Sequence, residues 1–448
     1  MATVLKHTRR FCESIWFNLI LFAYAALIVL VKGEVWGVLS FALIISLLLV
    51  VCEDITVTTL PFLLACTFVL KCYNSFNTFI VFAPLGVIPV GAFLFHFIKY
   101  HRPYKIGKSF FGICAVAVAV TAGGAFFISP EDYLSGTSLF YIAGLGIAMV
   151  GTYLLMKSQF VERNTYSLRE RLFAVFFIAG LFGTFMIGAY YVENFQTIWE
   201  SQTISIQWSN NLSTIMMFFL PIPFYYAITK NRFFILFGLI FYLAIVMTGS
   251  RGGLVMGGIE FALCFLFVSV YDKPLRYLTL FLCAAGILFL ALNIDTLFGG
   301  TSLSEGFEII SEKEPRFRSI FRAIDDFLSN PVFGRGLGYS GNIDLYKPVK
   351  GAANWYHMMP FQIIGSLGLV GIAAYGYQFF GRLSLIFKKP SPSALTLGLS
   401  YAGILLMSMV NPGEFCPVPY ELLAVLLFIF LELPNENQPS NAFLKIKE

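Results

Sequence analysis

Residues 172–191 read LFAVFFIAGLFGTFMIGAYY, twenty successive positions without a charged side chain. A helix needs about 17 to 25 mostly apolar residues to cross a bilayer, so this stretch predicts a membrane span. Working outward, similar runs lie near 15–31, 36–52, 55–70, 79–98, 109–128 and 137–156 on one side. On the other side they lie near 212–228, 233–249, 253–270, 277–293, 358–379, 393–410 and 418–432. That makes fourteen candidates, and the tight packing of the first three leaves twelve as an alternative.

Composition agrees. Of the 448 residues, 58% are hydrophobic and 12% charged, with a mean hydropathy of +0.78. A soluble domain carries about 25% charge, and one soluble core could not hide so much apolar surface. Soluble enzymes, nucleic-acid binders, disordered chains and disulfide scaffolds are thereby excluded. The expected fold class is an all-α polytopic membrane protein with about 12–14 transmembrane helices and one large outer loop. It divides into an N-terminal bundle at 1–293, the loop at 294–357, a three-span segment at 358–432 and a tail at 433–448.

The eight cysteines show no CxxC and no metal-type spacing, and only four histidines occur (His7, His96, His101, His357). Neither a disulfide framework nor a metal site is read here.

Sidedness follows from lysine and arginine bias. With the N-terminus in the cytoplasm, 20 of the 30 basic residues fall on that side, Lys157 and Arg382 among them. Ten fall outside, seven of them in 294–357. The first span then resembles an uncleaved signal anchor, and His357 is the one histidine on the outer face.

Polar chemistry collects on that face. Residues 315–330, PRFRSIFRAIDDFLSN, carry apolar side chains at helical spacing and Arg316, Arg318, Arg322, Asp325 and Asp326 between them. This predicts an amphipathic helix. It can lie on the membrane surface with a solvated charged face, or offer a basic rim to an anionic group. Asn330-Pro331 ends it, and VFGRGLGYSGN follows. Gly336, Gly338 and Gly341 match G-x-G-x-x-G literally, but no βαβ unit surrounds them. The stretch reads as a turn in which Arg335 and backbone N–H groups face the membrane and can cradle an anion, or as a bare structural turn.

At 248–253, TGSRGG places Ser250 and Arg251 at the start of a span. A helix N-terminus favours anions, and guanidinium is a bidentate partner for phosphate. The alternative is a snorkelling arginine that fixes the edge of the span. His357 stands where loop becomes helix, in NWYHMMPFQIIGSLGLVG. A lone histidine often has only a structural role. An imidazole, with an unperturbed pKa near 6.5, can also act as a general base at neutral pH. Gln207, Asn210, Asn211 and Glu414 are further outer polar groups. Together these residues point to a lipid-borne phosphate substrate.

The motifs resemble the O-antigen ligase and Wzy-type polymerase superfamily of bacterial membrane glycan transferases. Thr248–Gly253 is similar to its T-x-S-R-G segment. Arg316, followed by Pro331, Gly334, Gly336 and Gly338, is similar to its arginine before P-x-x-G-x-G-x-G. His357, Gln362, Gly368 and Gly371 fit its H-x4-Q-x5-G-x2-G. Together they cover 248–371. The family's arginine shortly before Asn211 is missing, and Met358 replaces the asparagine that often follows the histidine.

The resemblance implies a type-C glycosyltransferase-like fold with its active site on the periplasmic or extracellular side. It implies transfer of a glycan from polyprenyl (undecaprenyl) pyrophosphate to a sugar hydroxyl of a glycan or glycolipid acceptor, without metal or other cofactor. His357 would be the base and Arg251 would hold the pyrophosphate leaving group. Arg316, Arg318, Arg322, Arg335, Asn211 and Ser250 are substrate-binding candidates. Ligase and polymerase need the same residues. A flippase would instead need a charged cavity reached from both sides, and no repeat pairs 1–220 with 221–448. A non-catalytic scaffold would leave His357 without a task.

Overall fold

The computed structural model describes residues 2–71, 79, 81–160, 168–201, 206, 208–292, 315–339, 356–388 and 390–433. Side chains are not described at Ala2, Thr3, Val4, Ala83 and Ser201, at several positions in 283–292, or at 315–317. The readings placed on Gln207, Gly341 and the tail beyond Leu433, and the side chain of Arg316, fall outside this set.

The described elements are helical. They are α1 (Ala2–Cys12), α2 (Ile15–Leu30), α3 (Glu34–Val51), α4 (Thr56–Lys71), α5 (Pro84–Tyr100), α6 (Lys108–Ala122), α7 (Gly136–Lys157) and α8 (Leu168–Glu193). Then come α9 (Ser209–Thr229), α10 (Arg232–Met247), α11 (Arg251–Tyr271), α12 (Lys273–Leu292) and α13 (Pro315–Ser329). The chain continues with α14 (Met359–Lys388), α15 (Pro392–Ser408) and α16 (Pro417–Leu431). Lipid offers backbone groups no partner, so each apolar run must satisfy its own amides as helix. All fourteen runs are helical over most of their described length, with breaks at Gly368 and Val418. Two boundaries differ: the run at 79–98 becomes helical at Pro84, and the run at 358–379 continues to Lys388.

Among the described residues, seven helices can cross a membrane by length and composition, and an eighth results if α1 and α2, bent by 66°, count as one. Five shorter apolar helices accompany them. α9 is the most enclosed of the long ones and lies at the centre of the bundle. Small residues let neighbours approach it: Gly183 of α8 faces Met216, and Gly253 of α11 faces Ser213. Phe176 stacks edgewise on Phe218 at 4.9 Å. Polar side chains start several helices. Ser391 accepts from the Ala394 amide at 3.2 Å, and Asp272 from that of Leu275 at 3.1 Å, the usual way to satisfy first-turn donors.

Two of the basic residues counted on the cytoplasmic side are buried within the protein. Lys157 pairs with Glu432 at 2.9 Å, with side chains 6% and 3% exposed. Arg382 is fully enclosed in α14, bonded to Glu421 at 2.7 Å and also to Glu414, with Tyr401 at 3.3 Å. Gln378 completes the cluster by donating to Glu421 at 2.9 Å. A charge within the bundle has to be paired. The irregular stretch Gly413–Glu421, which leads from the α15–α16 connection into the start of α16, is largely buried and brings both carboxylates to Arg382.

Candidate functional site

α14 is broken at Gly368, where φ is 61° and ψ is −150°. A continuous helix would bond the Leu369 amide to the Gly365 carbonyl and the Val370 amide to the Ser366 carbonyl. Here the turn after α13 takes both pairs. Arg335 and Gly336 donate to Gly365 and Ser366 at 2.9 Å each, while Leu369 and Val370 donate to Pro331 at 2.8 Å and Val332 at 3.1 Å. Four bonds between segments replace two within the helix, so the break leaves no buried amide orphaned. The glycines serve this docking. Gly334 (φ 64°) and Gly336 (φ 90°) take left-handed backbone, and a Cβ on Gly368 would press on the Pro331 carbonyl and the Gly334 amide. Asn330 braces the turn from inside, its Nδ2 donating to the Gly334 carbonyl at 2.6 Å.

This corrects one expectation. The Arg335 and Gly336 amides do not face the membrane or wait for an anion, because the helix carbonyls occupy them. The Phe333 carbonyl likewise accepts from the Gly124 amide, in the connection between α6 and α7, at 2.9 Å.

His357 lies two residues before α14, half-buried, with φ at 61°. Its neighbour Tyr356 is buried and held at both ends. The Tyr356 amide donates to Gln362 Oε1 at 3.0 Å, and Gln362 Nε2 donates to Ser366 Oγ at 2.9 Å. The Tyr356 phenol donates to Asp326 Oδ2 of α13 at 2.5 Å. Arg322 Nε stands 4.0 Å from that oxygen, and Arg335 Nε stands 3.7 Å from Asp326 Oδ1. Arg335 also lies over the Tyr339 ring, 5.0 Å from its centroid. Of the loop candidates, Arg322 and Arg335 are thus gathered around Asp326, the partner of the histidine's neighbour Tyr356. Arg318 is exposed on the same helix, and Arg316 lies in its first turn.

A second cluster forms at the TGSRGG segment. Gly249 turns the chain at φ 74°, and Ser250 caps α11, accepting from the Gly253 amide at 2.9 Å. The same hydroxyl donates to Asn210 Oδ1 at 2.5 Å. Ser250 is therefore engaged on both sides. Arg251 follows as the first residue of α11, exposed. Asn210, not Asn211, touches this segment. Asn211 Oδ1 accepts from the Tyr420 phenol at 2.7 Å, tying α9 to the irregular stretch.

Sequence reasoning singled out neither Tyr356 nor Ser366, and it placed Asp326 only on a polar face. No periodicity marks them, since each matters through a partner elsewhere in the chain. Among the described residues, no group of three or more His, Cys, Asp or Glu side chains could hold a metal ion.

Residues 233–376 match the O-antigen ligase family model. That segment is similar to the O-antigen ligase family, and it carries the three motifs. The matched segment contains Arg251, α13, the docked turn, His357 and the break at Gly368, so both clusters fall within it except for Asn210, Asn211 and Tyr420. No curated protein matches the chain.

Proposed function

We propose that this protein is an O-antigen ligase-like membrane glycosyltransferase. It transfers a glycan from a polyprenyl pyrophosphate donor to a sugar hydroxyl at the outer face of the bacterial cytoplasmic membrane, in lipopolysaccharide or surface polysaccharide synthesis. Both chain ends lie in the cytoplasm in this reading. The acceptor oxygen attacks the anomeric carbon of the donor glycan while the bond from that carbon to the pyrophosphate oxygen breaks. His357 takes the hydroxyl proton, and the released polyprenyl pyrophosphate carries the negative charge, stabilised by Arg251 and the arginines of α13 and its turn.

The observation that carries the reading is the half-buried His357, whose neighbour Tyr356 is bonded to the arginine-bearing helix α13, within the segment that matches the ligase family. An arginine inside the membrane would suit a transporter, and Arg382 is such a residue. It is fully enclosed and occupied by Glu414 and Glu421, so it lines no passage.

Purified protein given a polyprenyl-pyrophosphate-linked glycan, with and without a separate acceptor glycolipid, tests the proposal, with His357→Ala in parallel. Transfer to the acceptor that is lost in the variant supports a ligase. A product ladder without added acceptor makes the enzyme a polymerase using the same base. Equal behaviour of wild type and variant throughout removes the transferase mechanism.

A further inference from the structure

We propose that Asp326 is a positioning residue for His357, acting through Tyr356. The inference rests on His357 as the base of the proposed transfer.

Positive φ is uncommon for any residue other than glycine and costs free energy even where histidine adopts it, so flanking contacts must hold His357 there. On its C-terminal side the first turn of α14 does so. On its N-terminal side the burden falls on Tyr356, restrained at three points. Its amide is bound by Gln362, its phenol by Asp326, and its ring lies close against Gly365, where a Cβ would come within 2.8 Å of Cζ. Two of these restraints come from α14 itself. Asp326 alone comes from α13, and it therefore fixes the histidine relative to the loop helix.

The same carboxylate faces Arg322 and Arg335. One side chain thus holds the base and two candidate phosphate partners as a unit. A short hydrogen bond between a phenol and a charged carboxylate is among the stronger ones available, and Asp326 is only 13% exposed, so water competes weakly for it. Removing the phenol oxygen leaves the ring packed and the arginines in place. The imidazole then loses its angular restraint while the donor still binds.

The test uses the full-length protein, a polyprenyl-pyrophosphate-linked oligosaccharide and a sugar acceptor. It compares Tyr356→Phe, Asp326→Asn, Asp326→Glu, the Tyr356→Phe/Asp326→Asn pair and His357→Ala. Misplacing a reacting group by about 1 Å can cost about a hundredfold, so Tyr356→Phe should lower kcat by about ten- to a hundredfold. Donor KM should stay within about twofold. Asp326→Asn should lower kcat as much and, because it also releases Arg322 and Arg335, change donor KM. Asp326→Glu should restore part of the rate, and the double variant should be no slower than Asp326→Asn. A wild-type kcat in Tyr356→Phe overturns the inference, as do losses that multiply in the double variant. If Asp326→Asn does not fold, Tyr356→Phe decides alone. Inactive His357→Ala beside fully active Tyr356→Phe removes this inference and leaves the proposed function standing. Fully active His357→Ala removes both.

Discussion

The amide of Arg335 donates to the carbonyl of Gly365 at 2.9 Å, the acceptor that the Leu369 amide would use in an unbroken α14. The turn after α13 is therefore a substitute strand of helix backbone. It fills the break so completely that two motifs some thirty residues apart become one structural object. The consequence for function is that α13 cannot shift without moving the start of α14, where His357 sits.

The break itself should be sensitive to a single methyl group. Gly368 occupies a backbone region that is essentially reserved for glycine, and a Cβ there would meet Pro331 and Gly334. Strain of that kind costs about 1–3 kcal/mol before any clash is counted. Gly368→Ala should lower the unfolding midpoint in detergent by several degrees and reduce transfer. Gly376→Ala, with open space around it, is the control and should leave both unchanged.

His357 offers a cleaner substitution than alanine. Asparagine tolerates left-handed backbone better than most residues, yet it cannot take up a proton in this pH range. His357→Asn should therefore keep the wild-type melting temperature while losing about a hundredfold or more in kcat, the usual scale of general-base catalysis. Thermal melts and initial rates on the same preparation check this. A variant that melts normally and transfers at the wild-type rate assigns His357 a structural role.

Ser250 closes the first turn of α11 and binds Asn210. Ser250→Ala removes the cap and leaves Asn210 Oδ1 without this donor, a loss of about 1 kcal/mol. Asn210→Ala should cost a similar amount. Because both variants break one shared bond, the double variant should lose less than the two single losses combined. Chemical or thermal unfolding of the four proteins measures the difference.

Arg382 is bonded to both Glu414 and Glu421 inside the bundle. Arg382→Met would leave two buried carboxylates without their cation, and breaking a buried pair in this way costs about 3–5 kcal/mol. Protein yield and melting temperature should fall sharply. Adding Glu421→Gln to Arg382→Met should recover part of the loss, and the absence of any recovery would count against the pairing as the source of the instability.

Much of the fold was legible because lipid enforces it locally. An apolar run such as 172–191 can only become helix, and its length reports the span. The asymmetry of basic residues, the amphipathic repeat of 315–330, Arg251 at the head of its helix and His357 at the edge of another are also local, and adjacent residues carry them. What depended on the tertiary structure was every relationship between distant segments. Hydropathy treats Arg382 as one more charge near Lys388, and only the irregular Gly413–Glu421 stretch shows why it is enclosed. The glycines of 334–338 look like an open turn until the carbonyls of Gly365 and Ser366 are seen to occupy its amides. Asp326 is an unremarkable acidic residue until the phenol of Tyr356 reaches it. Hydrogen bonds across thirty residues leave no period in a sequence, because they depend on where two chain segments meet and not on what either segment is alone.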